Sequence, residues 1–221
     1  MAISKFNYNS FNVTPVASKA LAFDADADGF TTASGSSMIL IKTLTASSSG
    51  TLSFVNGSSD VVLDDTYPIY KFEFINIHPS GSGSEFMVGF RDGGTNFDAT
   101  NTCTIWYAYN FENDGGTAFE YNTSEDNAQV AGFAKITGAA QIGTDNDESA
   151  SGEMTLFNPS STTFAKHFLS KIAVSKGGNS AAMSFAAGYF NTTSAIDEIQ
   201  FKMASGDIDA GQIKLYGIKD S

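Results

Sequence analysis

Polar and apolar residues alternate along most of this chain with a period of two. In Ile196–Ile218 (IDEIQFKMASGDIDAGQIKLYGI), Ile199, Phe201 and Met203 fall on one face and Gln200 and Lys202 on the other. Ile213 and Leu215 repeat the pattern around Lys214. Successive side chains of a strand point to opposite faces, so this stretch predicts two half-buried strands forming an antiparallel pair.

The same reading predicts strands at Met38–Ala46, Thr51–Asn56, Val61–Leu63, Ile69–Ile77, Phe86–Phe90, Cys103–Phe111, Ala118–Tyr121 and Gly152–Asn158. Lys166–Val174 and Ala182–Tyr189 form a further pair joined by Ser175–Ser180. His78-Pro79 ends the Ile69–Ile77 strand, because proline has no N–H for the ladder. Ser47–Gly50, Arg91–Gly94 and Asn113–Gly116 read as turns, and Tyr121–Asn127 and Gly143–Ser151 as polar loops. Val130–Ile142 fits either a strand or a short helix. About a dozen short strands with turn signals between them predict an all-β fold, a single β-sandwich of jelly-roll type over Met38–Ser221. Met1–Ser37 has scattered apolar residues (Val13, Val16, Leu21, Phe23, Phe30) and no sustained alternation, and reads as an N-terminal arm.

Composition supports strands over helices. The chain has 221 residues, with 21 Gly and 19 Phe, and only 16% of its residues are charged. Its net charge of −12 repels phosphate backbones and anionic lipid, which excludes nucleic-acid and polybasic membrane binding as expectations. No apolar run reaches the length of a membrane-spanning helix. Met1–Asn9 lacks a basic segment followed by an apolar one, and Cys103 is the single cysteine. The expectation is folding in a reducing cytoplasm without disulfides.

Candidate chemistry is sparse. Asp24, Asp26 and Asp28 stand in DADADG (Asp24–Gly29), which matches the start of a calcium loop, where hard oxygens converge on one ion. Loop position twelve, where a bidentate Glu belongs, is Gly35. A solvated acidic turn is the alternative, and a calorimetric titration with calcium separates the two. Asp145, Asp147 and Glu148 form a second acidic group; paired carboxylates serve glycosidases, but a solvated loop accounts for these. His78 and His167 are too far apart in sequence to suggest a ligand set. Cys103 reads as a small buried hydrophobe. There is no G-x-S-x-G elbow, phosphate loop or dinucleotide fingerprint, and no enzyme is expected. Trp106, Tyr107 and Tyr109 place aromatic rings on both faces of one strand. They fit a sugar-stacking platform if exposed, and otherwise a core strand or a subunit contact. Outward aromatics on a sandwich need a cover, so a homo-oligomer is expected, a trimer first, with part of Trp106–Phe111 at the contact.

Four segments carry a family resemblance: FINIHPS (Phe74–Ser80), LFNPSSTTFAKHF (Leu156–Phe168), AGYFNTTSAIDEIQFKMASGDI (Ala187–Ile208) and IKLYGIK (Ile213–Lys219). Together they resemble virion structural proteins of tailed bacteriophages, a group found among phages of marine bacteria. The resemblance runs from about Met38 to the C-terminus. It implies a non-enzymatic particle component, assembled in the host cytoplasm and partnered by other virion proteins of the capsid or tail. It carries over no catalytic residues. The reading drawn from it is a capsid decoration or cement protein held by the arm. A tail-fibre or receptor-binding module that contacts host surface glycan is the alternative.

Overall fold

A computed structural model describes residues 37–220 together with the backbone of 21–23 and 30–32. The chain divides into two units, Met1–Ser37 and Met38–Ser221. In the first, β1 (Leu21–Phe23) and β2 (Phe30–Thr32) form an antiparallel pair, with Phe23 opposite Phe30.

The second unit is a β-sandwich. Its strands are β3 (Met38–Thr45), β4 (Leu52–Val55), β5 (Ile69–Pro79), β6 (Phe86–Arg91), β7 (Thr100–Phe111), β8 (Thr117–Tyr121), β9 (Asn127–Ala131), β10 (Ala134–Lys135), β11 (Ala150–Phe157), β12 (Lys166–Lys176), β13 (Ser180–Phe190), β14 (Glu198–Met203) and β15 (Ile208–Ile218). The larger sheet runs β3-β15-β5-β11-β12-β13-β7-β8, with β9 also on β7. The smaller sheet runs β10-β6-β14-β4.

Eight of these strands form the rolled antiparallel ribbon of a jelly roll. The first pairs with the last (β3 with β15), the second with the seventh (β4 with β14), the third with the sixth (β5 with β11) and the fourth with the fifth (β6 with β10). Rolling the ribbon brings β15 onto β5 and β14 onto β6. The other strands are two insertions: β7, β8 and β9 between β6 and β10, and the β12–β13 hairpin between β11 and β14. Both insertions extend the larger sheet past β11.

The core lies between the two sheets and is built on phenylalanine. Phe72 and Phe74 of β5 meet Phe54, Phe86 and Phe201 from the smaller sheet. Phe201 has rings on four sides, with centroids 5.2–6.3 Å away. Farther along, Phe90 stacks on Phe190 at 4.0 Å beside Phe168. All eight rings are buried, as inward positions of alternating strands must be.

Four local expectations change. β14 and β15 do not pair with each other; they lie in different sheets, because Ala204–Asp207 crosses from one layer to the other. Val61–Leu63 forms no strand. Ser59 and Asp60 take positive φ (51° and 69°), and Leu63 is pinned by its N–H to the Asn56 side chain at 2.9 Å, so Val61 and Leu63 fill the core from a loop. β5 continues through His78 to Pro79, which sits opposite Ile208 at the strand's last position, where the missing N–H costs least. Val130–Ile142 is neither one strand nor a helix: β9 ends at Ala131, β10 holds two residues, and 136–142 fold irregularly beneath β7 and β13. There Ser184 Oγ donates to the Ile136 carbonyl at 3.4 Å, and Ile142 bridges to Ser84 and Lys176.

Candidate functional site

The extension of the larger sheet has an inner face covered by 136–142 and an outer face open to solvent. Strand register fixes which residues share the outer face. One row across the strands reads Tyr121, Trp106, Phe185, Lys171, Glu153 and Glu73. The next row reads Thr104, Ala187, Leu169, Thr155 and Lys71, and the third begins Thr102, Tyr189 and His167. On the other side of the Trp106 row lie Phe119, Ala108, Met183 and Ala173.

Trp106 is held between two rings. Phe185 of β13 stacks on it at 4.2 Å and 19°, and Phe119 of β8 lies against it at 5.1 Å and 39°. Since β7 runs between β13 and β8, the two rings flank the indole on opposite sides. Phe119, Tyr121, Leu169 and Met183 are exposed large apolar residues on the same face. A depression of about 400 Å³ lies beside the stack, bounded by Trp106, Phe185, Thr104, Leu169, Thr155 and Glu153. A second adjoins it, bounded by His167, Tyr189, Thr102 and Asp126. His167 and Tyr189 sit with ring centroids 5.9 Å apart.

The charges that the strands bring to this face are paired. Glu153 accepts from Lys71 at 2.7 Å and from Lys171 at 2.8 Å. Those bonds hold its carboxyl below the usual range, Lys171 contributing most, while the bond to Glu153 raises Lys71.

Tyr107 and Tyr109 point the other way. Tyr107 is buried, its hydroxyl donates to Glu120, and Lys176 Nζ lies 5.5 Å and 5.2 Å from the Tyr107 and Tyr109 ring centroids. Burial, reinforced by Glu120, pushes the Tyr107 phenol above its usual range. Of the three aromatic residues singled out in the sequence, the structure therefore places Trp106 alone on the open face. Cys103 is buried, and burial pushes its thiol up.

Comparison with known protein families, curated proteins and solved structures finds no match.

Of the remaining candidates, His78, Asp147 and Glu148 border one shallow depression together with Asp209. Asp24, Asp26 and Asp28 lie outside the described residues. Glu148 folds back on its own loop, accepting from the Asp145 N–H at 2.9 Å. His78 reaches the Asp145 carbonyl at 3.3 Å and Asp209 at 3.9 Å. Among the described residues, no group of three or more His, Cys, Asp or Glu is placed to hold a metal ion.

Sequence reasoning missed Phe185, Phe119, Leu169 and Met183. The alternation of β12 and β13 carried part of the signal, since Leu169, Met183 and Phe185 occupy the positions that alternate with buried Phe168, Ile172, Ala182 and Ala186. What it lacked was the order of the strands. Only β13 beside β7 beside β8 turns three scattered rings into one surface.

Proposed function

We propose that this chain is a structural protein carried on the exterior of a tailed-bacteriophage particle, as a capsid decoration or cement protein. The observation behind this reading is a complete jelly-roll ribbon whose larger sheet is widened into a face bearing Phe119, Trp106 and Phe185. Jelly rolls serve in viral capsid and lectin domains, and an apolar face of this breadth suits a contact within an assembly. The four segments that resemble phage virion proteins point the same way. They include β14 and the strand ends around Pro159 and Asn191, which frame the sandwich. Low charge density suits assembly in salty surroundings, where long-range attraction is screened. Residues 1–37 serve as the anchor.

A tail-fibre or receptor-binding role is the second reading. The depression between Leu169 and the His167–Tyr189 pair, with Thr102, Asp126 and Asn127 around it, favours it, because a sugar needs a ring to stack on and polar groups beside it. Trp106 itself is a poor platform, since a ring already flanks each side of the indole.

The deciding experiment is a cryo-EM map of the virion that locates this chain. Density on the outer capsid shell supports decoration, density on the tail supports the second reading, and absence from the particle sinks both. Binding of the purified chain to empty capsids, compared with the same chain lacking residues 1–37, tests the anchor. Full occupancy by the truncated chain would show that the arm does not hold it.

A further inference from the structure

We infer that the outer face of β12, β13, β7 and β8 is the contact through which two copies of this chain pair, around a two-fold axis. The inference holds whether or not the chain is carried on a particle.

Charge favours a second copy as the occupant. The chain carries a net −12, so most approaches between copies are repulsive. From β5 across to β8, the charged residues pointing outward are Lys71, Glu73, Glu153 and Lys171, two of each sign. Glu153 is held by both lysines. β13, β7 and β8 point none outward. Apart from Asp126, whose carboxylate is taken up by the Ile105 N–H and the Tyr121 hydroxyl, this face carries, among the described residues, no carboxylate that a lysine does not pair.

The area suits a reversible contact. Four strands side by side are about 19 Å wide, and eleven-residue strands such as β12 and β13 run about 36 Å. The face thus offers on the order of 600 Å², less than the roughly 800 Å² per partner of a standard interface and of the size of a weak, transient one. Its centre is aromatic and aliphatic and its far side is ionic, the arrangement expected of a contact with a dry middle and a polar rim.

The relief is self-complementary. Phe119, Trp106 and Phe185 make a ridge running across the strands. Beside it runs a trough floored by Thr104 and Ala187 and closed by Leu169, with Tyr189 and His167 as its far bank. Ridge and far bank are four residues apart along each strand, about 13 Å. A two-fold axis lying in the interface, parallel to the ridge and between ridge and trough, sets each copy's ridge over the other's trough. It also keeps the two sheets aligned, as packed sheets prefer. Such an isologous contact uses one patch per copy, whereas a three-fold ring needs two different ones. Among the described residues, the exposed large apolar side chains are Phe119, Tyr121, Leu169 and Met183 on this face, Met38 and Leu40 on β3 at the other end of the sheet, and Val130 and Phe164.

Sedimentation velocity of the full chain, together with the emission of its one tryptophan, tests this. The expected result is a reversible dimer, with Trp106 emission shifting to the red as dilution separates the copies. Phe185→Glu and Leu169→Glu each weaken pairing about tenfold or more, because a charge enters a desolvated centre. Leu169 is half exposed, so its variant keeps the parent's thermal unfolding, and a loss of pairing there is not a loss of fold. Phe164→Glu, at an exposed ring off this face, leaves the dimer intact. A monomer at every concentration overturns the inference, including one whose Trp106 emission shows the face covered within a single chain. So does an oligomer that Phe164→Glu disperses as readily as Leu169→Glu.

Discussion

The ammonium of Lys166 lies 2.6 Å from the carbonyl oxygen of Ser161, in a side chain with no solvent exposure. Its other donors reach the carbonyls of Phe164 at 2.8 Å and Thr192 at 3.2 Å. One cation thus ties the loop after β11 to the loop after β13. Among the described residues no carboxylate accepts from it directly, and burial pulls its pKa down. Lys166→Met is expected to cost about 2–3 kcal/mol, since three carbonyls lose their donor at once. Denaturant unfolding measures the cost, and hydrogen exchange should show faster opening of 158–165. Unchanged stability would mean that water replaces the ammonium without loss.

Phe201→Ala is expected to be among the most damaging single changes, at about 3–5 kcal/mol. Phe54, Phe72, Phe74 and Phe86 all pack against that ring, so its removal opens a cavity that neither sheet can close alone. Phe201→Leu should recover part of the loss in the same unfolding measurement.

Gly152 sits where β11 shifts register against β5. A methyl group there would lie 2.3 Å from the Lys171 carbonyl oxygen and 2.7 Å from the Ile172 Cα. Both are backbone atoms of a paired strand and cannot move alone. Gly152→Ala is expected to destabilise by about 1–3 kcal/mol through overpacking, even though alanine is ordinarily the more stabilising residue. A melting temperature at or above the parent's would contradict the close approach.

Alkali should loosen the fold through its tyrosines. Tyr70 is raised above the usual phenol range, first by burial and then by Asp64, and its hydroxyl donates to the Asp64 carbonyl at 2.9 Å. Tyr107 is raised in the same direction, by burial and by Glu120. A folded pKa above the unfolded one means that the native state keeps its proton longer. The stabilisation is complete below about pH 10 and is lost progressively as pH rises beyond it. Thermal unfolding followed from neutral to strongly alkaline pH should fall in that window. Tyr70→Phe should flatten the fall, and a slope unchanged in that variant would assign it elsewhere.

Much of the sandwich was legible in the sequence. The alternation in Ile69–Ile77, Lys166–Val174 and Ala182–Tyr189 reports side chains that really do alternate between buried and open positions, whereas in Phe86–Phe90 the intervening Gly89 is itself buried under Phe133. What could not be read was which strands meet. β14 and β15 adjoin in sequence yet serve different layers, and β3 finds its partner at the far end of the chain. Periodicity reports a strand's two faces and is silent about its neighbours. The open face was half legible for that reason. Trp106 stood out by residue type, but its flanking rings come from β8 and β13, and Tyr107, next to it in the chain, belongs to the opposite face.

β15 is slotted between β3 and β5, and this has a consequence for synthesis on the ribosome. Those two strands, separated by only 23 residues of sequence (46–68), cannot be joined until 208–218 have emerged, so each waits with an open edge while most of the chain is made. Loop closure over such separations is slow, and unpaired edges attract other nascent chains. Translation stalled before residue 208 should therefore leave a collapsed, aggregation-prone chain, and release of the last strand should act as the latch that commits it to the native state.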